Sequence, residues 1–202
     1  YERNLELSGI VRYAVENSNI VPYYQAIVDT KTGEIKKYEC LARLIDKNGK
    51  ILPPTLFIPV AKKIKNYNLV TKTIINKSFE TFESSEYEFS INLSIEDIMS
   101  KEIFNFIIEK LKNSKASKRV IFEILESDAI EDFKKVERFI IEIKRYGAKI
   151  AIDDFGSGYS NFGYLTRISA DYIKIDGSLV KNMDIDKNSL IVVETIVEFA
   201  QK

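Results

Sequence analysis

The chain has 202 residues, 45% of them hydrophobic, with 30 basic side chains, 30 acidic side chains and no histidine. This length suits one large domain with a substantial core, and the balanced charge gives no net field that would recruit a nucleic-acid polymer or an anionic membrane. The absence of histidine excludes Ser-His-Asp and Cys-His triads and histidine-based zinc sites, so any hydrolysis must use carboxylates, amides, lysine and hard cations.

The first predicted elements are an amphipathic helix and a β-hairpin. Apolar residues recur at helical spacing from Leu5 to Val15. Residues that favour β-structure dominate Ile20–Val28 and 35–44, and turn residues around Gly33 separate the two runs. We therefore predict one helix followed by two antiparallel strands.

Helices and strands alternate along the rest of the chain. Helical patterns cover residues 57–61, 69–82, 103–111, 129–146 and 189–200. Short β-rich runs cover residues 87–92, 120–124, 149–153 and 171–175. This alternation is typical of a parallel β/α organisation.

Two further features bear on the location of the domain. The single cysteine, Cys40, excludes a disulfide within the chain and fits a reducing cytoplasm, which is where we expect the domain to be. No apolar run approaches the roughly 18 residues that a membrane helix needs, so we expect no membrane contact by this domain.

Polar side chains stand near the ends of the predicted strands. They are Glu39, Asn92, Glu123, Asp153, Asp154 and Lys174. Active sites of β/α barrels are built where parallel strands end, so we expect these groups to meet at one mouth. Their oxygens suit Mg²⁺ or Mn²⁺, and the adjacent aspartates suit two ions about 4 Å apart, as used in phosphoryl displacement. A single acidic residue at a strand end is usually a helix cap or a solvated loop residue. A set of six is different, but the residues alone leave both interpretations open.

Six short motifs occur in order from about Ile20 to the end of the chain. They are Tyr23-Tyr24-Gln25, Glu39-Cys40-Leu41-Ala42-Arg43, Ser90-Ile91-Asn92-Leu93-Ser94, Glu123-Ile124-Leu125-Glu126-Ser127, Asp153-Asp154-Phe155-Gly156-Ser157-Gly158-Tyr159-Ser160 and Lys174-Ile175-Asp176. Together these motifs resemble the EAL domain of bacterial cyclic-di-GMP phosphodiesterases. Each motif is weak alone, and the ordered set is specific.

The resemblance implies an α/β fold, namely a TIM-like (β/α) barrel whose first strand runs antiparallel to the others. It implies that residues 19–202 form this domain and that residues 1–18 form a helix connecting it to an upstream sensory or cyclase domain in the same polypeptide. Family members continue past the helix near Ala200 into two more strands, one with a metal-binding glutamate. We therefore expect this chain to lack the last two barrel strands, and to have little activity without them.

The resemblance also implies a reaction, which is the hydrolysis of cyclic-di-GMP to linear pGpG with two Mg²⁺ or Mn²⁺ ions. By position, the implied metal ligands are Glu39, Asn92, Glu123, Asp153 and Asp154, with Asp153 bridging the two ions. The implied catalytic residues are Lys174, Glu39 and Asp153, and the implied substrate-binding residues are Gln25, Arg43 and Asp176. Glu126 and Ser157 match a loop that couples dimerisation to metal binding, so the resemblance also implies a homodimer.

The chain departs from the family pattern at three positions close in sequence to the implied site residues or their motifs. Cys40 replaces the alanine of the signature, Ala26 replaces a proline, and Lys62 replaces a glutamate. The change at Cys40 keeps the glutamate and a small side chain beside it, so it should be tolerated. The expected lack of the last two strands, together with Lys62, makes a catalytically inactive receptor for cyclic-di-GMP the alternative to an enzyme, and a protein-interaction module that uses residues 155–160 is a further alternative. Retention of all the early metal ligands counts against an interaction module.

Overall fold

The computed structural model describes residues 2–126, 132–156 and 162–201. The helices in these ranges are α1 (Glu2–Glu16), α2 (Pro54–Lys63), α3 (Tyr67–Phe82), α4 (Ile95–Met99), α5 (Lys101–Asn113), α6 (Phe133–Lys144), α7 (Phe162–Ile168), α8 (Gly177–Asn182) and α9 (Lys187–Ala200), with a 3₁₀ turn at Lys115–Lys118. The strands are β1 (Ile20–Val28), β2 (Ile35–Ile45), β3 (Ile51–Leu52), β4 (Glu88–Asn92), β5 (Val120–Leu125), β6 (Lys149–Phe155) and β7 (Tyr172–Ile175).

The described strands form one mostly parallel sheet in the order β1-β2-β4-β5-β6-β7, and the short β3 pairs with β2. Strand β1 runs antiparallel to β2, whereas β2, β4, β5, β6 and β7 pair with their neighbours in parallel. The prediction that the first strand is antiparallel to the rest is therefore confirmed. The fold class is α/β, as the alternating patterns predicted.

The central strands are buried on both faces because helices cover the outside of the sheet. All residues from Val120 to Ile124 are buried in β5, and residues 150–152 are buried in β6. Near-continuous apolar runs of this kind are typical of parallel strands. Helix α6 shows how the cover is made, since its core-facing residues are the buried Val136, Phe139, Ile140 and Ile143.

All six long strands predicted from the sequence are present, and the predicted helices are present with shifted ends. Helix α6 begins at Phe133, and residues 129–131 of its predicted range lie outside the described residues. The sequence pattern missed β3, α4, α7 and α8, which have two to seven residues. Elements this short do not complete enough periods for a hydrophobic pattern to emerge.

Helix α1 packs onto the same core as the rest of the described chain. Val11 and Ala14 are fully buried, and α1 lies against α2 and β2. The predicted division into residues 1–18 and 19–202 stays a prediction, since burial of this helix is compatible with a connecting role. Within the described ranges, every helix is too short or too polar to cross a bilayer.

Candidate metal and active site

Three acidic side chains from three strands meet on one face of the sheet. Glu39 lies on β2, Glu123 on β5 and Asp153 on β6, and one oxygen of each lies within 4.8 Å of the others. We call these residues the carboxylate trio. Glu39 is in the middle of β2, but parallel pairing with β4 ends at Cys40, so Glu39 still stands where the parallel part of the strand ends.

Lys174 on β7 extends its ammonium group into the carboxylate trio. Its Nζ lies 2.5 Å from Glu123 Oε2, 2.9 Å from Asp153 Oδ1 and 3.2 Å from Glu39 Oε2. Three carboxylates around one ammonium leave an excess of negative charge. Four of the six residues predicted to hold a metal or to act in catalysis are therefore brought together.

Burial and charge shift the ionisation of this group in opposite directions. Burial raises the pKa of Glu123, which is 3% exposed, and the charge of Glu39 raises it further while Lys174 opposes the change. Burial alone would lower the pKa of Lys174, but Glu123, Asp153 and Glu39 outweigh it, and the pKa lies above its ordinary value. Lys174 is therefore a cation at neutral pH.

Asn92 and Asp154 lie beside the trio. Asn92 is at the end of β4, and its Nδ2 donates to Glu39 Oε1 at 3.1 Å. Asp154 follows Asp153 and has a φ of 54°. This conformation interrupts the alternation of side-chain directions along β6, so the carboxylates of two consecutive residues can face the same region. Burial raises the pKa of Asp154, and the charges of Asp153 and Asp176 raise it further.

The hairpin places Gln25 and Arg43 on the rim of this face. Gln25 is directly opposite Glu39 in the β1–β2 register, so the two side chains share a face. Arg43 lies four residues beyond Glu39, and its Nη1 donates to Ala42 O at 2.8 Å. Its guanidinium carbon is 5.7 Å from the centre of the Tyr23 ring. The role of both residues in binding substrate stays a prediction.

Asp176 has a structural role in this conformation. It follows β7 and caps α8, accepting hydrogen bonds from the backbone N–H of Ser178 at 2.8 Å and from the Ser178 hydroxyl. These bonds hold the pKa of Asp176 below its ordinary value. The predicted contact between Asp176 and substrate stays a prediction.

Glu126 connects the end of β5 to the segment that follows Asp154. Its backbone N–H donates to Asp153 O at 3.0 Å, and its Oε2 accepts from the Gly156 N–H at 2.9 Å. Gly156 has a φ of 99°, which favours glycine. The other residue assigned to this loop, Ser157, lies outside the described residues, as do residues 158–160 of the motif.

The opposite end of the same face carries a second polar group. Lys149 pairs with Glu88, and the Tyr172 hydroxyl lies 3.2 Å from both Lys149 Nζ and Glu88 Oε2. Lys37 lies over the Tyr172 ring at 3.7 Å. At this end of the face, one carboxylate faces two ammonium groups. The excess of negative charge on the face therefore lies at the other end, at the carboxylate trio and its neighbours.

The donor set of the trio fits a hard divalent cation. Carboxylate oxygens, with an asparagine amide beside them, are the ligands that Mg²⁺ and Mn²⁺ prefer. Glu123 is almost fully buried, and a buried carboxylate needs a cation or several donors to offset its desolvation. In this structure the Lys174 ammonium meets that need.

Sequence reasoning missed a polar network next to Asn92. Tyr67 and Thr71 on α3 donate to the buried carboxylate of Asp97 on α4, and Ser94 caps α4. Burial and the Asp97 charge raise the pKa of Tyr67, so its hydroxyl stays protonated and donates. The spacing of Ser94 and Asp97 resembles a capping box, which is the sequence signal that was available.

A family model for the EAL domain matches residues 9–202. The chain is 29% identical over 204 residues to the cyclic di-GMP phosphodiesterase PdeB of Shewanella oneidensis, an alignment that covers 97% of this chain and 24% of that protein. It is 30% identical over 204 residues to the probable cyclic di-GMP phosphodiesterase PdeG of Escherichia coli K12, with coverage of 96% and 39%. The chain therefore belongs to the EAL domain family.

Solved structures support the same assignment of the fold. The crystal structure of an EAL domain protein from Listeria monocytogenes EGD-e matches with a TM-score of 0.86 and 25% identity, covering 96% of this chain and 78% of that one. The predicted TIM-like fold of EAL type is thus confirmed. The chain spans less than half the length of either curated relative named above.

Proposed function

We propose that this EAL domain hydrolyses cyclic-di-GMP to linear pGpG in a reaction that depends on Mg²⁺ or Mn²⁺. The observation that carries the proposal is the carboxylate trio with Lys174 at its centre. The substrate is inferred from the names of the curated relatives, and the class of metal is inferred from the oxygen ligands at the site.

In this proposal Glu39, Glu123, Asp153 and Asn92 hold the first ion, and Asp154 helps to hold a second. A bound divalent ion lowers the pKa of a water molecule and stabilises charge on the phosphoryl oxygens. The water oxygen forms a bond to phosphorus, one ribose–phosphate ester bond breaks, and the leaving ribose oxygen gains a proton.

Lys174 and the rim residues complete the proposed mechanism. The Lys174 ammonium stabilises the negative charge that develops on the phosphoryl oxygens. Arg43 binds a phosphate of the substrate with its planar fork of donors, and Gln25 contacts the substrate beside Glu39. The cytoplasmic location, the homodimer and the upstream sensory or cyclase domain stay predictions.

A receptor that binds cyclic-di-GMP without hydrolysing it is the second candidate. Lys62 favours this hypothesis, because it puts a cation where the family pattern has a glutamate. Its Nζ lies 2.7 Å from Glu96 Oε2 and 4.6 Å from the Tyr67 ring, and Lys62 and Asn92 line the same cavity. A change of charge near a proposed metal ligand can abolish turnover while the protein still binds cyclic-di-GMP.

Product analysis distinguishes the two candidates. The full-length protein that carries this EAL domain is incubated with cyclic-di-GMP in Mn²⁺, in Mg²⁺ and in EDTA, and nucleotides are separated by chromatography. The enzyme hypothesis predicts pGpG in either metal and none in EDTA. Tight binding of cyclic-di-GMP without pGpG in either metal would establish the receptor hypothesis, and absence of binding would contradict both.

A further inference from the structure

A buried network of side chains joins α3 to the loop that follows Asn92. It consists of Tyr67, Thr71, Ser94 and Asp97, and we call it the Asp97 network. Asp97 Oδ2 accepts from the Tyr67 hydroxyl at 2.6 Å, and from the Ser94 hydroxyl and backbone N–H at 2.8 and 3.0 Å. Asp97 Oδ1 accepts from the Thr71 hydroxyl at 2.8 Å.

The network compensates a buried charge and fixes a short helix. Asp97 is 1% exposed, and an isolated carboxylate at such a position would cost several kcal/mol in lost hydration. Four donors offset that cost. Helix α4 has five residues, which is too short for intrinsic helix stability, so its position depends on these bonds to α3.

The same bonds fix the backbone next to Asn92. Ser94 is two residues beyond Asn92, and the intervening Leu93 is buried with its N–H donating to Glu123 O at 2.8 Å. Asn92 itself is exposed and bonds to Glu39 Oε1. The orientation of the Asn92 amide therefore depends on the backbone of residues 93–94, which the Asp97 network fixes through Ser94.

We propose that the Asp97 network is a positioning device that holds the Asn92 amide toward Glu39 and toward the proposed metal position. Among the described residues, the side-chain hydrogen bonds of Tyr67, Thr71 and Asp97 go to one another and to Ser94, and not to Asn92 or the carboxylate trio, so these residues act through the backbone of residues 93–94. The effect of the network on metal binding rests on the proposed function. Its effect on the orientation of Asn92 in the metal-free protein does not.

Four variants test the device without removing a residue of the site. Tyr67→Phe and Thr71→Val each delete one donor to Asp97, and Thr71→Ser retains the donor as a conservative control. Ser117→Ala is the matched control for loss of a buried hydroxyl, because Ser117 Oγ donates to Leu111 O and Ser114 O ahead of β5, at the opposite end of that strand from the site.

The measurement is the pair of Asn92 side-chain amide signals in ¹⁵N-correlated NMR spectra of metal-free protein, assigned by their loss in Asn92→Asp. We expect the pair to move toward free-asparagine values in Tyr67→Phe and Thr71→Val, and to stay at wild-type positions in Thr71→Ser and Ser117→Ala. Unchanged signals in both donor-deleted variants, or an equal shift in Ser117→Ala, would overturn the inference.

Mn²⁺ binding, followed by electron paramagnetic resonance, supplies the second readout. We expect the dissociation constant to rise about tenfold in Tyr67→Phe and Thr71→Val, as for other residues that orient a ligand, with no change in the two controls. Failure of the wild-type protein to bind Mn²⁺ would contradict the proposed function. The amide signals would still decide the inference about Asn92.

Discussion

Lys174 Nζ lies 2.5 Å from Oε2 of Glu123, the most buried carboxylate of the trio. The contact joins the ends of two strands, β5 and β7, that are not neighbours in the sheet. It neutralises a charge that has almost no access to water. The same ammonium contacts Glu39 and Asp153, so a divalent ion bound to all three carboxylates would compete with it.

Removing this internal cation is expected to destabilise the metal-free protein. In Lys174→Met, three carboxylates lose their shared counter-ion, and we expect a loss of roughly 1–3 kcal/mol, reduced by the partial exposure of the lysine. Added Mn²⁺ should restore most of the loss by supplying another cation. Thermal unfolding in EDTA and in Mn²⁺ measures both effects.

Lys149→Met is the matched control for this prediction. Lys149 pairs with Glu88 at the other end of the same face, where two lysines face one carboxylate. We expect a smaller loss of stability there and no recovery with Mn²⁺. Equal behaviour of the two variants would contradict the special role of Lys174.

Gly156→Ala tests the packing around Gly156, whose backbone N–H donates to Glu126. A Cβ at this position would lie 2.4 Å from Leu179 Cδ1 on α8, and the φ of 99° is unfavourable for alanine. We expect destabilisation of about 1–3 kcal/mol from strain and displacement together. Urea denaturation measures it.

Gly33→Ala separates the two contributions. Gly33 also has a positive φ, 70°, but nothing lies within 4 Å of an added Cβ. It therefore reports backbone strain alone, and we expect the smaller loss. Equal losses in the two variants would show that contact with Leu179 adds nothing.

The Cys40 thiol is expected to be unreactive in the folded protein. The residue is 2% exposed, and burial raises the pKa of the thiol to about 12. At pH 8 a disulfide reagent should react only after unfolding in urea. Because the thiol of the unfolded chain ionises near its ordinary pKa, this group stabilises the fold fully below about pH 8.5 and loses that contribution as pH rises toward 12.

Two measurements check this prediction. Stoichiometric reaction of the native protein within minutes at pH 8 would contradict the burial of Cys40. In Cys40→Ala, the fall in stability between pH 9 and 11 should be shallower than in the wild-type protein. An identical slope in both proteins would show that other groups govern the alkaline transition.

The ion pair between Lys62 and Glu96 is expected to be worth less than 1 kcal/mol, because both side chains are substantially exposed. Lys62→Glu should destabilise slightly through repulsion from Glu96. The double change Lys62→Glu with Glu96→Lys should recover the loss. A double-mutant cycle of unfolding free energies tests this, and independence of the two sites would contradict the pairing.

The strands, the antiparallel direction of the first strand and the identity of the site residues could be predicted because their signals are local or motif-based. The apolar run at residues 120–124 predicted β5, and the position of Glu123 near the end of that strand predicted that it meets the other polar residues at one mouth. The ordered motifs then placed Glu39, Asp153 and Lys174 at one site, and the structure brings them together.

The remaining features depend on tertiary contacts that no local pattern encodes. The capping role of Asp176 and the buried position of Asp97 each require a neighbour, Ser178 in one case and Tyr67 with Thr71 in the other. The left-handed conformation of Asp154 is also invisible in sequence, because most non-glycine residues avoid it. These contacts determine how the predicted residues are oriented.

The most direct test of the proposed site compares Glu123→Gln with Glu88→Gln, each in the full-length protein, for Mn²⁺-dependent formation of pGpG from cyclic-di-GMP. Both glutamates lie on parallel strands and bond to a lysine, but only Glu123 belongs to the carboxylate trio. We predict a loss on the order of 100-fold or more for Glu123→Gln, since a proposed metal ligand is removed, and near wild-type turnover for Glu88→Gln. Wild-type turnover in Glu123→Gln would contradict the assignment of the site.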